Sequence, residues 1–323
     1  MKQMLDIVMP HYNEPWETGR PFFDMLACQK GIDFRQIRVL LIHDGPYQFP
    51  KDTFDKYPYK VEQHTIEHKG VSAARNKGLD LAKAKWVTFC DFDDTFSSIF
   101  SLKFVFDVLD TESYDLLWNP FLIENIAANG RFVLSANDKW NSVWVHNKYF
   151  RTKWLKGLGL KFSEELRISE DSAFLAVLGI QMDIKRVGKI KSPFPLYVWC
   201  YREGSATTDK ANTYKNMVGQ FFRNMYVWEQ FKERQCNDAD AMVARTMTDA
   251  YISLTRKELP DGCDEMIKLV ADFWKKNKAK VRNVSAEQLQ RVMKASIKEG
   301  KDNGWLNDDR PKFADWLKGL DNV

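Results

Sequence analysis

The chain has 323 residues, of which 44% are hydrophobic and 28% charged, with a formal net charge of +4. This length allows one large domain or two ordinary ones with ample core, and the mild charge excludes a partner that could be named from net charge alone. No apolar run approaches the roughly 20 residues of a membrane span. The cysteines (Cys28, Cys90, Cys200, Cys236 and Cys263) are odd in number, widely spaced and free of any Cys-x-x-Cys pair. That argues against a disulfide framework or a zinc site and for a reducing compartment. Leu5 follows a short polar start with no signal-peptide apolar stretch. The expectation is a cytoplasmic protein that would meet a membrane, if at all, peripherally at its inner surface.

The first predicted element is the strand Leu5 to Pro10, stopped by its proline. A helix from Thr18 to Lys30 follows, with Phe22, Phe23, Leu26 and Ala27 on one face and Gly31 after it. Gln36 to Ile42 reads as a second buried strand, turning at His43-Asp44-Gly45-Pro46. Tyr59 to Ile66 alternates like a third strand, and Val71 to Lys83 reads as a helix. Trp86 to Cys90 is a short buried strand, and Asp91-Phe92-Asp93-Asp94 follows it directly. Continuous apolar strands interleaved with helices imply a mainly parallel sheet covered on both faces. Ligands of such sheets bind beyond the C-terminal ends of the strands. Pro10 to Asn13, Asp44-Gly45 and Asp91 to Asp94 should therefore converge on one crevice.

Further along, Ile99 to Leu109 reads as a helix and Tyr114 to Ile123 as a strand. Arg131 to Leu134 is placed in a hairpin through Ala128-Asn129-Gly130. Asn141 to His146 reads as a short strand, with a helix starting at Lys148. Ser169-Glu170-Asp171 suits the start of an apolar helix, with Ser169 as N-cap and acids near the positive end of the dipole. Lys189 to Cys200 is a last strand region. From residue 207 the pattern turns all-helical: Tyr214 to Arg234, Ala239 to Leu254, Asp264 to Lys275, Ser285 to Lys298 and Phe313 to Leu320. Ser285 and Gln288 form a capping-box pattern. The domain division falls at 1–206 and 207–323.

The carboxylates after Cys90 are ambiguous taken alone. They suit a hard divalent cation, a cap for the next helix, with Asp94 as the capping residue, or a solvated turn. No Gly-x-Gly-x-x-Gly follows the first strand and no phosphate-binding Gly-x-x-x-x-Gly-Lys-Ser/Thr occurs. A carboxylate-held cation is the other way to neutralise a diphosphate.

Six segments, in order over roughly residues 4 to 206, resemble the family 2 inverting glycosyltransferases of GT-A fold. They are Asp6 to Asn13, Leu40 to Gly45, Gly70 to Gly78, the Asp91 cluster with its Asp-x-Asp pattern, Ser169-Glu170-Asp171, and Tyr201 to Ser205. The resemblance implies a GT-A domain, a Rossmann-like mixed and mainly parallel α/β sheet flanked by helices, followed here by the helical C-terminal region. It implies a base pocket from Pro10, Tyr12, Asn13 and Asp44, with Tyr12 stacking and Asp44 accepting a ring N–H. Gly70 would allow close approach of the nucleotide, with Arg75 near it. Asp93 would ligate Mn2+ or Mg2+ and Asp91 would contact the ribose or a metal-bound water. Asp171 would be the general base, assisted by Glu170, and Arg202 and Ser205 would close over the diphosphate. Two adjacent carboxylates raising each other's pKa would suit a base. His11 and His43 receive no metal role and read as local hydrogen-bonding residues.

The expected reaction is metal-dependent, inverting transfer from a UDP-sugar to an acceptor hydroxyl on a cell-surface glycan or glycolipid. One alternative acceptor is hydroxymethylated pyrimidine in phage-type DNA. A nucleotidylyltransferase of the same fold would carry a glycine- and arginine-rich loop after the first strand, which Pro10 to Pro15 lacks. A non-catalytic scaffold would need no base, which the Glu170-Asp171 pair argues against. Between Lys275 and Lys301 nine Lys or Arg face two Glu. That balance fits a solvated helix face or an anionic partner. The helical region is left with three roles: acceptor binding, homo-oligomerisation, or contact with a membrane or DNA.

Overall fold

A computed structural model describes residues 3–111, 113–127, 129–203, 213–302, 304 and 306–323. The chain forms two compact units. One comprises Met1–Glu165 with Glu170–Glu203, and the other Leu166–Ser169 with Gly204–Val323.

In chain order the first unit contains β1 (Leu5–His11), α1 (Trp16–Ala27), β2 (Ile37–Asp44), β3 (Lys60–Ile66), α2 (Val71–Leu81) and β4 (Trp86–Phe89). Next come β5 (Thr95–Phe96), α3 (Ser101–Leu109), β6 (Leu116–Trp118), β7 (Phe121–Ile126) and β8 (Phe132–Asn137). It ends with β9 (Lys148–Arg151), α4 (Thr152–Gly157), α5 (Glu170–Gln181), β10 (Val187–Lys189) and β11 (Tyr197–Trp199). A seven-stranded sheet runs in the order β10-β6-β9-β4-β1-β2-β3. β1 is parallel to β2 and β4, and β2 to β3. β9 alone runs against its neighbours β4 and β6. A second sheet has the order β5-β11-β7-β8.

The central strands are the continuous apolar runs of the sequence, buried on both faces as a parallel sheet demands. Every residue of β2 and β4 is buried. Phe22, Phe23 and Leu26 of α1 are fully buried against the sheet's core. The paired registers bring His11, Asp44 and Phe89 to one edge, because Pro10 pairs with Ile42, His11 with His43 and Val8 with Phe89. Near the opposite end of β1, buried Asp6 accepts from both Arg38 Nε and Nη2 at 2.9 Å and from the Lys83 and Ala84 amides. Its role is to tie β1, β2 and the turn before β4 together.

Helix α2 lies close on β1 at Gly78. A Cβ there would stand 2.2 Å from Val8 Cγ1. Gly78→Ala is therefore expected to cost about 1–3 kcal/mol through overpacking, seen as a lower denaturant midpoint at unchanged slope.

Three sequence expectations change. The run from Tyr114 to Ile123 is two strands in two sheets, parted at Asn119-Pro120, where proline has no N–H for a ladder. Asn141 to His146 is not a strand. Asn141 Oδ1 accepts from the Val143 and Trp144 amides and bends the chain into a turn. The helix expected from Lys148 is instead β9, because β4 and β6 offer ladders on both sides: Val87 opposite Phe150, Leu117 opposite Tyr149. The hairpin of β7 and β8 forms as the sequence indicated.

The second unit contains α6 (Thr213–Glu233), α7 (Ala239–Leu254), α8 (Cys263–Asn283), α9 (Ala286–Asp302) and α10 (Phe313–Leu320). Met217, Phe221, Trp228, Met247, Met266, Phe273, Trp274 and Leu320 share its core, so Phe273 and Trp274 pack inward. α8 runs eight residues beyond the expected Lys275. Gln288 N–H donates to Ser285 Oγ at 3.2 Å, and Ser285 N–H to Gln288 Oε1 at 3.4 Å, completing the capping box. Among the described residues no helix is long and apolar enough to cross a membrane.

Candidate active site

Three loops leave the C-terminal edge of the large sheet side by side, after β1, β2 and β4. The first carries Pro10, Tyr12 and Asn13. Asn13 adopts left-handed backbone (φ 55°), which asparagine tolerates better than most residues. Glu14 closes this turn by accepting the Tyr12 amide at 2.8 Å. Tyr12 is 47% exposed, and its ring stacks on His68 with centroids 4.3 Å apart.

Asp44, at the end of β2, is buried. Its carboxylate accepts the Lys69 amide at 2.7 Å, the Gly70 amide at 2.8 Å and His68 Nδ1 at 2.9 Å. A carboxylate has about four acceptor positions, so most of Asp44's capacity is spent on the loop that starts α2. Acceptance of a base N–H was the role expected for it. The structure gives it the task of setting the 68–70 loop instead. Gly70 stands at φ 100°, where side chains are strained, and its free amide is what Asp44 holds.

Arg75, on α2, is the centre of the site. The side chain is buried, yet it reaches three carboxylates. Nη1 donates to Glu170 Oε1 at 2.8 Å and to Asp171 Oδ1 at 2.7 Å, and Nη2 to Asp91 Oδ1 at 2.9 Å. Burial opposes its charge, but Asp171, Asp91 and Glu170 outweigh burial and hold the guanidinium firmly charged. A place beside the nucleotide was expected for Arg75. The structure commits its Nη donors to joining the acids after β4 to those that open α5.

Asp171 is 8% exposed. Its Oδ2 accepts the Val145 amide at 2.9 Å. Burial pushes its carboxyl up to about 7, Arg75 pulls it down, and Glu170 and Asp91 add repulsion. Desolvation thus outranks the neighbouring acid as the cause of a base poised near neutrality. Ser169, expected as the N-cap of this helix, takes left-handed backbone at φ 66°.

The three acids after β4 divide their work. Asp93 is raised by burial and by Asp91, against the pull of Arg202. Arg202 Nε donates to Asp93 Oδ2 at 2.7 Å, and its Nη2 lies 3.7 Å from Glu14 Oε1. Asp94 does not cap a helix, since β5 follows it and α3 begins only at Ser101. Instead it accepts the Tyr197 hydroxyl at 2.7 Å and the Cys200 amide at 2.9 Å. It thereby fixes the strand that leads to Arg202. Burial, then Asp91 and Asp93, raise its carboxyl well above the usual range. Ser205 lies outside the described residues.

Among the described residues no three His, Cys, Asp or Glu are grouped to hold a metal ion by themselves. Asp93, with Asp91 beside it, offers hard oxygen donors in a site whose buried acids repel one another. That chemistry fits a hard cation completed by ligand and water oxygens.

The sequence alone did not pick out Glu14, Tyr197, Lys148 or the Val145 amide. Lys148 is fully buried, donates to the Trp144 carbonyl at 2.7 Å and is pushed down to about 7 by burial. Nothing local in an Asn-Lys-Tyr-Phe run signals this. Glu14 stood in the matched loop and could have been read from its spacing to Tyr12.

A mainly parallel α/β sheet with its acids gathered at one edge, and helices following it in the chain, is the architecture of the GT-A glycosyltransferases. The chain is similar to the structure of S. aureus TarS 1–349 in complex with UDP. The TM-score is 0.53 at 18% identity, over 96% of this chain and 99% of that one. Residues 6–156 match the model of glycosyl transferase family 2, and the chain belongs to that family. It is 26% identical over 207 residues to the minor teichoic acid biosynthesis protein GgaA of Bacillus subtilis, covering 58% of this chain and 45% of that protein. It is 25% identical over 231 residues to GgaB of the same organism, also a minor teichoic acid biosynthesis protein, covering 65% of this chain and 24% of that protein. The chain thus spans less than half the length of these curated relatives.

Proposed function

We propose that this chain transfers a sugar, with inversion and with Mn2+ or Mg2+, from a UDP-sugar to a hydroxyl of a bacterial surface polymer of the teichoic acid class. The observation that carries this reading is the Arg75 bridge. It ties Asp91, beside the candidate cation ligand Asp93, to a buried Asp171 poised near neutrality.

In this reading Tyr12 stacks on the base, with Pro10 and Asn13 beside it, and Asp44 holds the Gly70 loop against the nucleotide. Asp93 ligates the cation, and Asp91 meets the ribose or a cation-bound water. When bound, the cation offsets the charge that develops on the leaving diphosphate. Asp171 takes the proton from the acceptor hydroxyl as its oxygen bonds to the anomeric carbon. The bond from that carbon to the diphosphate breaks, and UDP leaves with the electron pair. Glu170 orients the base or the acceptor. Arg202 moves from Asp93 to the diphosphate, with Ser205 beside it.

UDP as the nucleotide is supported by the TarS likeness, since that structure is a complex with UDP. The two teichoic acid relatives support the acceptor class over DNA. Lys275, Lys276, Arg291, Lys294, Lys298 and Lys301 are exposed on the helical unit and suit an anionic polymer.

Calorimetry tests the donor half. UDP is expected to bind in the presence of Mn2+, and Asp93→Ala to lose the metal-dependent part of that affinity, about tenfold or more for a charge-assisted contact. Equal UDP affinity with and without metal in the wild type would remove the cation from the mechanism.

A further inference from the structure

We propose that His11 is held as an imidazolium with both ring nitrogens donating, and that it is a positioning residue of the donor site, acting through Glu14. The chain of protons starts at an amide. Gln63 Nε2 donates to the Phe49 carbonyl at 3.2 Å, and Gln63 Oε1 accepts the Phe49 amide at 3.1 Å. Turning that amide over would set donor against donor and acceptor against acceptor. Gln63 Oε1 also faces His43 Nε2 at 2.9 Å, so His43 Nε2 carries a hydrogen.

His43 is buried, and burial pushes it down to about 4. At neutral pH it therefore has one N–H, and its Nδ1 presents a lone pair. His11 Nδ1 lies 2.9 Å from that lone pair and must donate to it. His11 Nε2 lies 2.9 Å from the Glu14 carbonyl oxygen, which can only accept. Both nitrogens of His11 are thus donors, which only the cation allows.

The surroundings suit a cation. Glu14 Oε2 is 3.9 Å from His11 Nε2. The rings of Phe92, Phe49 and Tyr47 lie 4.7, 4.8 and 5.6 Å from the imidazole, centroid to centroid. Aromatic rings at such distances stabilise a cation. The titratable groups around it are His43, the Glu14 carboxylate and the Tyr47 hydroxyl.

The positioning role rests on the donor reading above. His11 anchors the Glu14 carbonyl. The Glu14 carboxylate in turn takes the Tyr12 amide and lies beside Arg202, whose Nε holds Asp93. One buried charge thereby sets the loop that carries the base-stacking residue and a seat for the arginine expected on the diphosphate.

Imidazole 15N NMR of the full chain near pH 7 is the test, with Gln63→Met as the variant. Gln63 is half-buried on edge strand β3, and methionine keeps its shape. The wild type should show two protonated nitrogens on His11, and on His43 protonation at Nε2 only. In Gln63→Met, His43 can move its hydrogen to Nδ1 and donate to His11, so His11 drops to one protonated nitrogen. Gln63→Glu keeps an acceptor opposite His43 and should leave His11 doubly protonated. UDP affinity should fall about tenfold in Gln63→Met, as for one lost charge-assisted hydrogen bond. An unprotonated nitrogen on wild-type His11 overturns the proposal, as does a Gln63→Met spectrum unchanged at His11. Loss of that proton with full UDP affinity overturns the positioning role. A wild type that binds no UDP overturns the donor reading instead and leaves the ring assignment standing.

Discussion

Asp171→Asn is expected to lower transfer by roughly 10²–10⁴-fold, the usual contribution of a general base, while UDP binding stays within about twofold of wild type by the same logic, since the base acts on the acceptor. The amide keeps an oxygen for the Val145 N–H and for Arg75, so geometry changes little, but it cannot take a proton. The wild-type pH profile gives the same residue a second readout. With its carboxyl pushed up to about 7, Asp171 is protonated below that pH, so transfer should fall about tenfold per pH unit there and level off above it. Stability moves the other way. The folded pKa is raised above the unfolded one, so between about pH 4 and 7 the native state binds the extra proton. The contribution of Asp171 to stability is greatest below that window and declines as pH rises through it. Full transfer by Asp171→Asn, or a profile flat through pH 7, would assign the base elsewhere, with Glu170 the next carboxylate to examine.

Arg75→Met should produce the largest stability loss among single changes at the site. It removes the one cation bonded to Asp91, Glu170 and Asp171 together. Breaking a buried ion pair from one side costs about 3–5 kcal/mol, because the abandoned charge stays buried. For a unit of this size that corresponds to a melting temperature lower by roughly 6–20 °C. The loss should shrink at acid pH, where the abandoned carboxylates take up protons. A variant that melts like the wild type at pH 7 would show that the three acids are relieved by something other than Arg75. The two changes separate cleanly: Asp171→Asn tests chemistry in an intact site, and Arg75→Met tests what keeps the site intact.

Much of this unit could be read along the chain. Leu5 to Pro10, Gln36 to Ile42 and Trp86 to Cys90 became β1, β2 and β4 because runs without charge leave a strand no place but the middle of a sheet. The hairpin, the helices α1 and α2, and the capping box at Ser285 were equally local, each written in residues a few positions apart. Lys148 to Arg151 was misread because its strand conformation comes from ladders on both sides, with partners 30 and 60 residues earlier. Local pattern carries no trace of them.

The candidate site divides along the same line. Sequence by itself put Asp91, Asp93, Asp44, Arg75 and the Glu170-Asp171 pair on the page, since turn chemistry and motif order are properties of neighbours. It also marked the C-terminal strand ends as the edge where they belong. Tertiary structure alone decided what each one does there. Arg75 meets acids 16, 95 and 96 residues away. Asp94 meets Tyr197 and Cys200 rather than a helix. Asp171 owes its raised pKa chiefly to burial, a quantity that exists only once the chain has packed around it, because desolvation is set by what surrounds a charge and not by what precedes it.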